Sequence, residues 1–109
     1  MQVIKKSRSP EEEARIEEFR RRAGRFMVSR RMVENDPDLW AAVLSGVCVV
    51  RCEALYYEDG FEYVALSDRF DVIALGEVTP TYKAIITEHK CDDGSTTYDV
   101  VFEREGAGQ

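Results

Sequence analysis

A change of hydrophobic period near residue 46 restricts the fold more than any other feature of this 109-residue chain. Before it, Ile16, Phe19, Ala23, Phe26 and Met27 recur at helical spacing and form one apolar stripe. After it, Val47 to Tyr57 alternates: Cys48, Val50, Cys52, Ala54 and Tyr56 lie on one side, while Arg51 and Glu53 interleave on the other. That is the period of a half-buried strand. A chain that is helical first and extended afterwards builds an α+β domain, with its helices gathered on one side of an antiparallel sheet.

The helical half carries its own punctuation. Ser9 is placed to cap, Pro10 suits the first helical position, and Glu12 completes a capping box in an acidic first turn. Glu11–Arg15, Glu17–Arg21 and Glu18–Arg22 stand four residues apart in the favourable order. Gly24 weakens such a helix by about 1 kcal/mol relative to alanine. The helix is expected to run to Asn35-Asp36-Pro37. At about 25 residues it would be roughly 37 Å long, enough to cover a four-stranded sheet. Asp36 and Pro37 then start a second, short helix with Leu39, Trp40, Val43 and Leu44, which stops at Ser45-Gly46.

In the extended half, Glu58-Asp59-Gly60 reads as a tight turn with glycine supplying a positive φ, and Phe61 to Leu66 returns as the second strand. Thr81 to His89 and Thr96 to Glu103 pair around Asp92-Asp93-Gly94-Ser95, with Tyr82, Ala84, Ile86, Tyr98, Val100 and Phe102 facing inward. Ser67 to Pro80 is too apolar for a solvated loop and fits either a fifth strand or a loop closing one end of the sheet. The expected fold is thus a long N-terminal helix plus a short second helix packed on one face of an antiparallel sheet of four to five strands. Residues 1–9 read as a polar leader or short edge strand, 10–105 as a single domain, and 106–109 as a frayed tail.

Charge is divided along the chain. Residues 1–31 hold ten Lys/Arg against five Glu, a balance of +5; the remaining five basic and sixteen acidic residues give −11, for a net −6. An acidic chain is a poor general ligand for nucleic acid, where phosphate contacts dominate affinity. No apolar run reaches the ~18–20 residues of a membrane span, and Lys5, Lys6 and Arg8 follow Val3-Ile4 with no apolar signal segment behind them. The expected location is cytoplasmic.

Cys48, Cys52 and Cys91 form no C-x-x-C pair. On a strand, four residues span about 13 Å, beyond both a disulfide and a shared metal ion, so buried free thiols are expected. The single histidine, His89, has Cys91 two residues on, and no second ligand pair completes a metal site. Neither phosphate-cradling glycine loop nor nucleophile elbow is present, and Glu58-Asp59 and Asp92-Asp93 sit in turns. No catalytic residue, cofactor or metal is therefore assigned.

Two features point to partners. Arg20, Arg21, Arg25 and Arg31 spread over the non-apolar side of the long helix and are the candidate partner-binding residues, as an anion or nucleic-acid contact surface or as guanidinium forks for a partner's carboxylates. On the outer sheet face Val47, Val49, Leu55, Tyr57, Ile85 and Val101 sit among charged residues, which makes a homodimer through that face or an edge strand a candidate assembly. The expected function is a small acidic, non-enzymatic macromolecule-binding protein, a regulator or inhibitor of the mobile-element type, with another protein as partner rather than nucleic acid or membrane. The alternative is a pocket protein or small enzyme whose curled sheet encloses a cavity lined by Tyr56, Tyr63, Tyr82 and Tyr98.

Overall fold

The segment Ala23–Ser29 decides the architecture, and it is a strand. In the computed structural model, which describes residues 7–106, the first helix α1 spans Pro10–Arg20 and stops there. Gly24, Phe26 and Val28 then alternate inward along β1 (Ala23–Ser29), while Arg25, Met27 and Ser29 point the other way. The expected 25-residue helix is therefore two elements. Phe26 fits both periods, and packing decides between them: as a strand residue it is 0% exposed, whereas α1 buries no residue. Gly24 is no helix defect. A Cβ there would stand 2.8 Å from Cγ of Phe70 and 2.8 Å from Cδ2 of Tyr82, so glycine permits the aromatic core to close on β1.

The helices begin where the sequence indicates caps. The Glu12 N–H donates to Ser9 Oγ at 3.2 Å, and Pro10 opens α1. Of the spaced ion pairs, Glu17–Arg21 (3.7 Å) and Glu18–Arg22 (2.7 Å) form. α1 nevertheless buries no residue. It does not cover the sheet. Ser29 Oγ accepts from Met32 N–H and starts a short helix α2 (Arg30–Asn35). α3 (Pro37–Leu44) follows as expected, with Val43 buried.

The remaining strands are β2 (Cys48–Leu55), β3 (Gly60–Leu66), β4 (Tyr82–Lys90) and β5 (Thr96–Arg104). They form two antiparallel sheets rather than one: β1-β3-β2, and the hairpin β4-β5. A single parallel bridge, Arg25 to Thr81, joins them. The core lies between the sheets, where Phe26, Val28, Tyr63 and Ala65 meet Tyr82 and Phe102, together with Val43 and Phe70. Its aromatic rings are in direct contact: Phe26 stacks on Tyr63 at 5.4 Å and meets Phe102 at 5.1 Å, and Phe70 lies 4.6 Å from Tyr82. The inward set expected for the second hairpin is the observed one, with Ala84 opposite Phe102 and Ile86 opposite Val100.

Residues 67–80 are the covering loop. Ser67 and Ile73 donate to the carbonyls of Arg22 and Arg21, Phe70 is inserted in the core, and Asp71 N–H donates to the Tyr82 hydroxyl at 2.8 Å. Ser67 is buried but satisfied: its Oγ donates to the Gly46 carbonyl at 2.7 Å and accepts from Arg69 N–H at 3.1 Å. The fifth strand comes from Ala23–Ser29 instead. In the β2–β3 turn the positive φ belongs to Asp59 (48°), not to Gly60. Gly60 is needed for space, since a Cβ would lie 2.9 Å from the Val28 carbonyl oxygen. The first six residues of the expected leader and the last three of the tail lie outside the described residues.

Candidate functional site

The four candidate arginines do not share a helix face. Arg20 ends α1 and is exposed. Arg21 caps α1, pairs with Glu17, and accepts the Ile73 N–H through its carbonyl. Arg25 stands on β1, where its Nη2 donates to the Thr79 carbonyl at 3.0 Å. Arg31 is exposed on α2. Arg21 and Arg25 thus anchor the 67–80 loop, as does Arg22, whose Nη1 donates to the Phe70 carbonyl at 3.1 Å. Only Arg20 and Arg31 keep the solvent-facing geometry expected of all four, and they lie on different elements. The cause is the strand: once Ala23–Ser29 is extended, helical spacing no longer relates these positions.

The most exposed apolar surface lies elsewhere. β2 is exposed from Cys48 to Ala54 on both faces, because β1 and β3 carry the core and β3 is the element that packs substantially against β2. A bulge at Val50 reverses the facing of the strand's first residues, so Val49 shares the side of Ala65, and Val50 is 61% exposed. The three cysteines, expected to be buried, are free and exposed. At the turn after β2, Tyr56 and Tyr57 are 95% and 102% exposed. Beside them, between α2 and the β2–β3 turn, lies an open depression of about 370 Å³ with Val33, Leu55 and Phe61 in its lining. Arg30 lines it too, donating to Glu34 at 2.8 Å and standing 3.9 Å from Asp59. The hydrogen bond to Glu34 and the charges of Glu34 and Asp59 push the Arg30 pKa up.

A second concavity opens beside β1. Past the Arg25–Thr81 bridge, β1 and β4 no longer pair, and a cleft of about 470 Å³ remains between them. Met27, Met32, Val43 and Ile86 supply apolar lining; Glu58, Glu62 and Glu105 supply three carboxylates against the single ammonium of Lys83. The four tyrosines expected to line one cavity are dispersed. Tyr63 and Tyr82 are core residues, Tyr56 is at the turn, and Tyr98 borders Arg69 and Ala42. Burial pushes the Tyr63 phenol up, partly opposed by the hydrogen bond it accepts from Trp40 Nε1 at 3.1 Å.

His89 and Cys91 are not brought together with other ligands. His89 Nε2 pairs with the Asp99 carboxylate at 2.7 Å across the β4–β5 hairpin, and among the described residues no group of three or more His, Cys, Asp or Glu is arranged to hold a metal ion. No helix among them is long and apolar enough to cross a membrane. Sequence reasoning missed both the tyrosine turn and the open edge of β2. Consecutive tyrosines beside Glu58-Asp59 were the available signal, and continuing the strand alternation through Tyr57 concealed it. Comparison with protein-family models, with curated proteins and with solved structures finds no match to this chain.

Proposed function

We propose that this chain is a non-enzymatic macromolecule-binding protein that grips a partner protein at the α2/β2–β3 corner. The observation that carries this is the pair Tyr56 and Tyr57, almost wholly exposed next to a depression with an apolar lining. Tyrosine is a favoured anchor in protein interfaces because it combines a large apolar body with a hydrogen-bonding tip, and two neighbouring tyrosines without core contacts offer that area ready-made. Arg30, Glu34 and Asp59 provide a charged rim, and Arg31 stands next in sequence to Arg30. The test is affinity capture from the source lysate with wild type, a Tyr56→Ser/Tyr57→Ser variant and an Arg20→Glu/Arg31→Glu variant. A retained protein that is lost with the tyrosine variant supports the proposal. Equal retention by the tyrosine variant, or no retained protein with the wild type, refutes it.

The cleft between β1 and β4 supports a second use, binding of a small cationic molecule. Its volume of about 470 Å³ falls within the ordinary range of ligand pockets, and three carboxylates face one ammonium. Thermal-shift titration with di- and polyamines checks it: stabilisation that disappears in Glu62→Gln is expected, and a flat response removes the idea.

A further inference from the structure

We infer that β2 is a self-pairing edge, and that two copies of this chain join antiparallel with Cys52 on the two-fold axis, fusing their three-stranded sheets into one of six. Hydrogen-bond parity makes this geometry specific. Arg25 N–H points to Pro80, so the odd-numbered residues of β1 face β4 and the even-numbered ones face β3. Ser67 N–H donating to Arg22 places the odd residues of β3 toward β1, leaving Glu62 and Val64 to bond β2 through Glu53 and Arg51. The N–H and C=O of Cys52 and Ala54 therefore point out of an edge that no strand among the described residues pairs with. Cys48–Leu55 is eight residues long with neither lysine nor proline; its edge protection is the bulge and the charges of Arg51 and Glu53, which bar some pairings and favour others.

Charge selects the register. An antiparallel pair with a two-fold axis places a residue opposite its own copy. Centring on Arg51 sets Arg51 against Arg51, and centring on Glu53 sets Glu53 against Glu53. Centring on Cys52 sets Arg51 against the partner copy's Glu53 in two rungs, with Val50 opposite Ala54. It also relieves a tension within each copy. Glu53 stands directly opposite Glu62, a like-charge rung, while Arg51 reaches Glu62 at 4.0 Å. No ion pair of Glu53 exists among the described residues; the second copy supplies one.

The overlap of about five residues per strand buries less than a standard interface of ~1,600 Å², so association is weak and concentration-dependent. Light scattering across roughly 1 µM to 1 mM should show the mass rising from 12.5 kDa toward twice that value. Glu53→Arg is the decisive variant, because it replaces the like-charge contact with Glu62 and so does not threaten folding. It should weaken dimerisation about tenfold or more, and Arg51→Glu/Glu53→Arg should restore it. Paired residues of this kind have Cα atoms about 5.5 Å apart, inside the Cα range of disulfides. Their Cβ atoms stand wider than the ~3.8 Å of a relaxed disulfide, so the bridge forms only with a local shift of the two strands. Diamide, which takes two electrons and two protons from two thiols as the S–S bond forms, should link copies through Cys52 and not through Cys48 or Cys91. A mass of 12.5 kDa throughout overturns the inference. So does dimerisation indifferent to Glu53→Arg, or cross-linking that survives Cys52→Ser. None of these outcomes touches the tyrosine corner, which is tested on Tyr56 and Tyr57.

Discussion

Truncating two phenylalanines of the same apparent stripe separates a strand at Ala23–Ser29 from a continuous helix. Phe26 is 0% exposed, stacks on Tyr63 at 5.4 Å and contacts Phe102 at 5.1 Å. Replacing a buried phenylalanine by alanine costs about 3–5 kcal/mol, the sum of lost transfer energy and the cavity left behind. The ring pairs add about 0.5–1.5 kcal/mol beyond area, which puts Phe26→Ala near the top of that range. A domain of this size holds roughly 5–15 kcal/mol, so the variant forfeits a large share of its stability. Phe19, on α1, is only half-buried and no residue of that helix is buried. Phe19→Ala should cost about 1 kcal/mol, the typical value for a substitution outside the core. Urea unfolding followed by the fluorescence of Trp40, the only tryptophan, measures both. A gap of about 3 kcal/mol is expected. Equal costs, as two members of one buried helical stripe would give, refute the strand.

Further outcomes follow from the turns and the exposed thiols. Gly60→Ala brings a Cβ against the Val28 carbonyl oxygen and should destabilise by about 1–3 kcal/mol in the same unfolding assay, whereas Asp59→Gly, at φ 48°, should be neutral or slightly stabilising. Asp93 accepts hydrogen bonds from the hydroxyl and the backbone N–H of Ser95, which lower its pKa from the ordinary 3.8. Because the folded value is the depressed one, this contribution to stability is complete above the unfolded pKa and is lost as pH falls through the folded one. An NMR titration should find Asp93 moving back toward 3.8 in Ser95→Ala. In dilute native protein, Ellman's reagent should titrate Cys48, Cys52 and Cys91 rapidly without denaturant; slow or partial reaction would mean the thiols are covered.

Where a local signal had one physical meaning, it was legible in the chain. Ser9 and Pro10 start α1, Pro37 starts α3, and the alternation of Tyr82, Ala84 and Ile86 against Val100 and Phe102 sets the second hairpin. Ala23–Ser29 carried two periods at once, and the choice between them lies in contacts with Tyr63, Phe70 and Tyr82, which are distant in sequence. The candidate arginines are dispersed over α1, β1 and α2 for the same reason. β2 shows a different limit. Alternation gives a strand its two faces, but whether a neighbour covers them depends on strand order, which placed β3 at the centre and left Cys48 and Cys52 in solvent.

Amide hydrogen exchange along β2, read by NMR on protein dilute enough to remain at 12.5 kDa, probes the open edge directly. Arg51 and Glu53 N–H groups, bonded to β3, should exchange slowly, while those of Cys52 and Ala54 exchange fast and become protected only as concentration rises. Four equally protected amides in the dilute protein, or four equally fast ones, would contradict it.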